Sequence, residues 1–167
     1  MQIDFTKLSC IDGTALMPDS LINDNIVLKN MIDDCLDINM TPLNFELQDV
    51  TNYINFCLMR KENNLVNDPL SDNIDVYEQS FLSALEDKNS IPERKLDPIG
   101  NILAIADFLN NDQVTDICAK YCASSIEKME SKDDIELLRR IFNTVNDLTD
   151  IEIDKIRNAN LWCKYSN

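Results

Sequence analysis

The start of the chain alternates between apolar and polar positions, which is the pattern of a half-buried strand. The apolar positions are Ile3, Phe5, Leu8 and Cys10. Asp12-Gly13 follows, and this pair is a strong signal for a two-residue hairpin turn. Residues 14–17 can then run back along the first strand, so the pattern predicts an N-terminal β-hairpin.

Apolar residues then recur at helical spacing in two segments. The first set predicts a helix over about residues 26–36, and consists of Ile26, Val27, Met31, Ile32 and Cys35. The second set predicts an amphipathic helix over about 46–60, and consists of Phe45, Val50, Tyr53, Ile54, Cys57 and Leu58. Between them, Met40 to Leu43 is extended in character, because the residue before Pro42 avoids the helical region. The predicted order is therefore β-β-α-β-α.

Two polar stretches, 61–75 and 86–95, lack this periodicity and are predicted to be loops. Between them, residues 76–82 carry the spacing of a short helix. The rest of the chain predicts four more helices, at about 97–110, 112–129, 133–142 and 149–161. Asp112, Asp133 and Thr149 are candidate N-caps, and Thr149 and Glu152 have the spacing of a capping box.

Composition argues against an enzyme. The chain of 167 residues has no histidine, the commonest general base and metal ligand, and only two glycines. It contains no phosphate-binding loop, nucleotide fingerprint, nucleophile elbow or catalytic triad. Cys118 and Cys122 lie one helical turn apart, but two thiols without further ligands are a weak metal site compared with buried structural cysteines. We therefore expect a non-enzymatic protein with no cofactor and no metal.

Charge narrows the choice of partners. Fifteen basic against 30 acidic residues give a formal net charge of -15, which repels nucleic acid and anionic membranes and favours basic partners. No apolar run approaches the ~20 residues that a membrane span needs. The six cysteines show no CxxC pair, and no apolar signal segment follows Met1. We expect reduced thiols in a protein of the cytoplasm and nucleus, with no membrane or nucleic-acid partner.

The C-terminal region carries a family resemblance. Residues 142–149 read Phe-Asn-Thr-Val-Asn-Asp-Leu-Thr, an acidic helix follows, and residues 160–163 read Asn-Leu-Trp-Cys. These motifs resemble the end of the S-phase-kinase-associated adaptor, the subunit that joins F-box proteins to a cullin in SCF-type ubiquitin ligases. Residues 26–34 are similar to that family's Val-Thr-Ile-Lys-x-Met-Leu-Glu-Asp, and residues 103–109 to its Leu-Ala-Ala-Asn-Tyr-Leu. The resemblance covers nearly the whole chain with gaps, and the chain is a divergent member on this reading.

The resemblance implies an α+β fold of the BTB/POZ type, with a small three-stranded sheet flanked by helices. The BTB/POZ-like domain is expected over residues 1–110, and residues 111–167 are expected to be a C-terminal helical extension that forms an F-box-binding surface. The implied function is a non-enzymatic adaptor that bridges a cullin and F-box substrate receptors.

The resemblance also implies site residues, carried over position by position. Asp107 and Phe108 stand where the family has an Asn-Tyr pair that faces the cullin. The expected F-box-facing residues are Ile126, Leu138, Phe142, Thr144, Leu148 and Trp162. Spacing alone leaves Trp162 open between a core anchor and an interface anchor.

Two other readings stay open at the level of sequence. One is an F-box-binding scaffold or decoy that no longer binds a cullin. The other is a BTB-type module that binds copies of itself, and weak self-association is compatible with the adaptor as well.

Overall fold

The structure, a computed structural model, describes residues 4–34, 43–65, 73–87, 92–129, 132–145 and 147–161. Within these ranges the chain is an α+β protein with a two-stranded antiparallel sheet and helices, which confirms the predicted fold class at that level. The strands are β1 (Phe5–Ser9) and β2 (Thr14–Pro18). The α-helices are α1 (Ile26–Asp33), α2 (Leu47–Glu62), α3 (Val76–Asp87), α4 (Asp97–Leu109), α5 (Asp112–Glu127), α6 (Lys132–Ile141) and α7 (Asp150–Ala159). Short 3-10 helices span Asp19–Asp24 and Pro92–Arg94.

The N-terminal hairpin forms as predicted, but its turn lies one residue earlier than Asp12-Gly13. The Cys10 N–H donates to the Gly13 carbonyl over 2.8 Å, so Ile11 and Asp12 occupy the tip. Gly13 does not have a positive φ. A Cβ at Gly13 would lie 2.9 Å from Cδ2 of Leu47, so the glycine is needed for a close approach to the start of α2.

The predicted third strand lies largely outside the described residues. Its last residue, Leu43, is buried and described, and its N–H donates to the Ser9 carbonyl over 2.7 Å. Two residues on, the Phe45 carbonyl accepts from the Ile11 N–H over 3.0 Å. The chain therefore runs in the same direction as the end of β1 along this edge of the hairpin.

One hydrophobic core joins the hairpin to α1 through α5. Helix α4 is its centre, because Ile99, Ile102, Ile105, Ala106 and Leu109 are all inaccessible to solvent. These positions recur every three or four residues, so a single stripe of the helix faces the core. The inward face of the hairpin adds Leu8, Ala15 and Met17.

Two buried polar networks cross this core. Arg60 of α2 donates from Nε to Glu78 of α3 over 2.7 Å and from Nη2 to Gln113 of α5 over 3.2 Å. The Tyr53 hydroxyl donates to Asn25 and accepts from Nδ2 of Asn111 over 3.0 Å. Burial raises the pKa of Tyr53 far above its usual value, so the phenol stays protonated. These bonds satisfy polar groups that would be costly to bury alone.

Three of the described helix ends use asparagine where glycine is common. Asn64, Asn110 and Asn143 follow α2, α4 and α6 with φ of 51°, 54° and 49°. After each, the next N–H reaches back to a carbonyl of the last turn, at Arg60, Ala106 and Arg139 over 3.0, 2.8 and 2.8 Å. This is the Schellman geometry, which asparagine tolerates next after glycine.

Of the three predicted N-caps, one is confirmed and two are wrong. Thr149 caps α7 in a full capping box with Glu152, as its spacing predicts. The prediction for α5 is wrong, because Asp112 is the first helical residue and Asn111 is the cap, its side chain accepting from Val114 N–H. Helix α6 already includes Lys132, so Asp133 lies inside the helix.

The chain divides into two compact units, residues 1–130 and 131–167. The domain boundary predicted at residue 110 falls inside the first unit, because α5 packs against α4. The second unit contains α6 and α7. No helix in the part of the chain that the structure describes is both long and apolar enough to cross a membrane.

Candidate functional site

The outward face of α4 ends in the two residues expected to face a cullin. Asp107 and Phe108 are exposed, and Phe108 keeps 47% of its surface accessible to solvent. Their neighbours Ala106 and Leu109 are buried. The helix period therefore turns Asp107 and Phe108 away from the core, and the Asn110 cap ends the helix directly after them.

Phe108 belongs to a larger apolar surface. Its ring meets the Phe45 ring edge-on, with centroids 6.0 Å apart. Phe45 is hydrogen-bonded through its backbone to Ile11, whose side chain is 66% exposed at the hairpin tip. We call Ile11, Phe45 and Phe108 the Phe108 patch. The sequence pattern did not predict Ile11 and Phe45 as site residues, because the hairpin tip and the segment before α2 are joined only in the folded chain.

Acidic residues adjoin two members of the Phe108 patch along the chain. Asp107 precedes Phe108, and Asp12 follows Ile11. The Asp12 carboxylate also accepts from the Leu47 N–H over 2.7 Å, so it caps the first turn of α2 from a distant part of the chain. An apolar centre with an acidic border fits a partner surface that is apolar in the middle and basic around it.

The second unit exposes its apolar residues. None of the side chains described between Glu136 and Leu161 is buried. The large exposed ones are Phe142, Val145, Leu148, Ile151, Ile156 and Leu161, with exposed fractions of 59%, 85%, 43%, 69%, 49% and 47%. We call these six residues the α6–α7 surface. So much exposed apolar area over a short segment is typical of a protein-interaction site.

The residues expected to face an F-box are placed as follows. Ile126 is half-buried near the end of α5, in the first unit. Leu138 of α6 is half-buried, and Phe142 and Leu148 belong to the α6–α7 surface. Thr144 is exposed, and its N–H and hydroxyl both donate to the Arg139 carbonyl, so it also closes the end of α6. Trp162 lies outside the described residues.

The four cysteines that the structure describes are poorly suited to nucleophilic attack or metal binding. Cys10, Cys57, Cys118 and Cys122 are free. Burial raises the pKa of Cys57 to about 12 and raises that of Cys118 further. The pKa values of Cys10 and Cys122 are raised as well, again mainly by burial. A thiol held protonated is a poor nucleophile and a poor metal ligand. No group of three or more Cys, Asp or Glu in the described residues is arranged to hold a metal ion.

A cavity of about 350 Å³ lies beside α2, lined by residues that include Asp24, Arg60, Lys61 and Asn111. Its cations are already engaged, because Arg60 is paired with Glu78 and Lys61 donates to the Ser20 carbonyl. Asp24 adds a negative charge to the rim. Once Glu78 and Asp24 are counted against Arg60 and Lys61, the cavity offers no net positive charge for binding an anionic substrate.

Comparison with models of protein families and with curated proteins gives no match to this chain. The resemblance to the adaptor family therefore rests on the short motifs at residues 26–34, 103–109 and 142–163.

Proposed function

We propose that this protein is a non-enzymatic adaptor that joins a cullin to F-box proteins in an SCF-type ubiquitin ligase. The observation that carries the proposal is the exposed α6–α7 surface. Two short helices whose described side chains are all at least partly exposed gain little stability from their own packing, since most helix stability comes from burying an apolar face. A partner that covers this face would supply the missing burial, as in other grooves that bind amphipathic helices.

The BTB/POZ fold is part of the proposal. The hairpin, α1 and the run beside β1 at Leu43 and Phe45 follow the predicted order of elements. The backbone bonds from Leu43 and Ile11 support a third strand that would join β1 on the edge opposite β2. Helices α2 through α5 would then flank a sheet of three strands.

The Phe108 patch is the proposed cullin surface. Aromatic residues are preferred anchors of protein interfaces, and Phe108 lies half-exposed on a rigid core helix. A fixed helix presents the ring without an ordering cost on binding.

A second candidate is a scaffold that keeps the F-box surface and has lost the cullin. Asp107 favours it, because a carboxylate beside the anchoring ring would be desolvated by a closely packed partner. Burying such a charge without a partner costs about 2–5 kcal/mol. Asp107→Asn would then tighten cullin binding, whereas an adaptor whose cullin supplies a cation would bind the variant more weakly.

The proposal is tested by titrating the purified protein with a cullin N-terminal domain and, separately, with an F-box domain. Phe108→Lys is expected to abolish only cullin binding, and Leu148→Lys only F-box binding. Tyr77→Ala removes another exposed aromatic, 55% accessible on α3, and serves as the control that changes neither affinity. Failure of the wild-type protein to bind an F-box domain would overturn the proposal, and F-box binding without cullin binding would select the scaffold.

A further inference from the structure

The N-terminal hairpin has a second edge, along β2, that carries no further strand among the described residues. Residues pair across the hairpin so that Thr6 lies opposite Met17, Lys7 opposite Leu16 and Leu8 opposite Ala15. In an antiparallel ladder, hydrogen-bonded and non-hydrogen-bonded pairs alternate. The direction in which each backbone group points therefore follows once the phase of this alternation is known.

Backbone bonds at the two ends of the hairpin fix the phase. Asp19 N–H donates to the Asp4 carbonyl over 3.0 Å, and Cys10 N–H donates to the Gly13 carbonyl over 2.8 Å. Both pairs continue the residue pairing of the hairpin, so the N–H and C=O groups of the even-numbered residues of β1 face the backbone of β2. The odd-numbered Ser9 faces the other way, and it bonds to Leu43 on the far edge as this phase requires.

On β2, the same alternation turns the N–H and C=O groups of Thr14 and Leu16 away from β1. No backbone bond joins either residue to another element among the residues that the structure describes. Both side chains are exposed, and Leu16 is 54% accessible. Pro18, which has no N–H, ends the open edge. An unpaired edge of this kind is a template for an additional strand.

Two exposed apolar side chains lie on the outward face of the hairpin near this edge. Phe5, which is 51% exposed, and Leu16 lie on the same face of the hairpin, and Lys7 stands opposite Leu16. A strand added to β2 would place every second side chain beside Leu16, where an apolar residue would cover it.

The charge of the first unit distinguishes between two possible occupants of this edge, a second copy of the chain and a basic segment of another protein. Residues 4–34 carry six Asp and two Lys, a net charge of -4, and the whole first unit carries 23 acidic and nine basic residues, a net charge of -14. A second copy of the chain would bring the same charge to the edge and be repelled. A basic segment would be attracted.

We propose that the open edge of β2 binds an extended, basic segment of a partner protein, with apolar residues at alternate positions, by adding it as a strand. Backbone bonds to Thr14 and Leu16 would hold the segment, and Leu16 would contact its apolar side chains. This site is separate from the Phe108 patch and from the α6–α7 surface, and it does not depend on the adaptor function.

The test uses a synthetic ten-residue peptide that alternates lysine and valine, added to the full-length protein. Amide hydrogen exchange, followed residue by residue in NMR spectra, should be fast at Thr14 and Leu16 in the free protein. It should slow at these two residues when the peptide binds, while Ala15 and Met17, already paired within the hairpin, stay protected. Two N-methylated peptides, one methylated at the lysines and one at the valines, should differ, because only one set of amides faces β2.

Leu16→Pro is the variant that removes the edge donor. The Leu16 N–H points away from β1, so its loss leaves the hairpin bonds at Ala15 and Met17 in place. Slow amide exchange at Ala15 and Met17 in the variant therefore shows that the hairpin is still folded. Loss of one edge donor should weaken peptide binding about tenfold or more. Leu16→Ala keeps the donor and should weaken binding less.

Three results would overturn the proposal. The first is no binding of the peptide. The second is binding that survives N-methylation of either set of amides and Leu16→Pro, which would show attraction by charge alone. The third is protection of Thr14 and Leu16 in the free protein that rises with protein concentration, which would show that a second copy occupies the edge.

Discussion

At the scale of single residues, the most informative contact is the buried ion pair of Arg60 and Glu78. The two side chains are 8% and 6% exposed, and they tie α2 to α3. Glu78 also accepts from the Asp75 N–H over 3.2 Å, so it fixes the start of α3 as well. The pair explains why two charged residues can lie in an otherwise apolar interior.

Glu78→Ala should lower the free energy of unfolding by about 3–5 kcal/mol, because it leaves Arg60 buried without its counter-charge. Urea unfolding followed by circular dichroism measures the change. The exposed pair of Arg94 and Asp97 provides the control, and Arg94→Ala should cost less than about 1 kcal/mol. Equal effects of the two substitutions would show that the Arg60 pair is solvated.

The buried thiols give a second prediction at this scale. Burial raises the pKa of Cys57 to about 12, so at pH 8 almost none of this thiol is ionised to thiolate. Alkylation by iodoacetamide, mapped by mass spectrometry, should therefore be at least about 100-fold slower at Cys57 and Cys118 than in denatured protein. Rapid native labelling of Cys57 would contradict the packing around α2.

At the scale of elements, three helix ends carry asparagine in the left-handed region. Asn110 ends α4 in the left-handed region and so fixes the turn that follows Asp107 and Phe108. The chain has two glycines, and neither stands at such a position, because Gly13 is in the hairpin turn and Gly100 is inside α4.

Asn110→Ala should therefore destabilise the protein by about 1 kcal/mol, since a Cβ without a compensating polar group disfavours the left-handed conformation. Asn110→Gly should be neutral or stabilising, because glycine adopts this conformation freely. Urea unfolding midpoints compare the two. An alanine variant as stable as the glycine variant would show that the cap contributes little.

Elements with strong local signals could be predicted from the sequence. The hairpin, the helix from Asp97 and the Thr149 capping box follow from patterning and cap chemistry. Helix α3 was predicted to end at residue 82 but continues to Asp87. The sequence around Glu86 is polar like a loop, but tertiary contacts stabilise the helix there. Glu86 is buried, accepts a hydrogen bond from the Tyr121 hydroxyl over 2.6 Å and pairs with Lys95 over 2.9 Å.

The residues of the candidate surfaces also differ in whether a local sequence pattern could predict them. Asp107 and Phe108 could be named from their motif, and their exposure follows from the helix period. Ile11 and Phe45 could not, because the ring contact of Phe45 with Phe108 and the backbone bond between Ile11 and Phe45 join segments that are distant in sequence. A local pattern does not encode such contacts.

At the scale of the whole molecule, charge is divided unevenly. The first unit carries a net charge of -14, whereas residues 131–167 carry six basic and seven acidic residues, a net charge of -1. The proposed cullin surface belongs to the first unit, and the proposed F-box surface belongs mainly to the second. The two partners should therefore be recognised by different forces.

Salt should separate the two interactions. Raising NaCl from 50 to 500 mM should weaken cullin binding by about tenfold or more, because it screens the attraction of the acidic unit for a basic partner. F-box binding, which depends on apolar contact, should change by less than about threefold. Isothermal titration at both salt concentrations measures this, and equal salt dependence would contradict the division of roles.

The central claim is that one molecule of this protein holds both partners at once. The most direct measurement is light scattering after size-exclusion chromatography of a mixture with the cullin N-terminal domain and an F-box domain. We predict a single species with the mass of a 1:1:1 complex, and no association of the two domains when this protein is left out. Two separate binary complexes that exclude each other, or no complex with either domain, would contradict the claim.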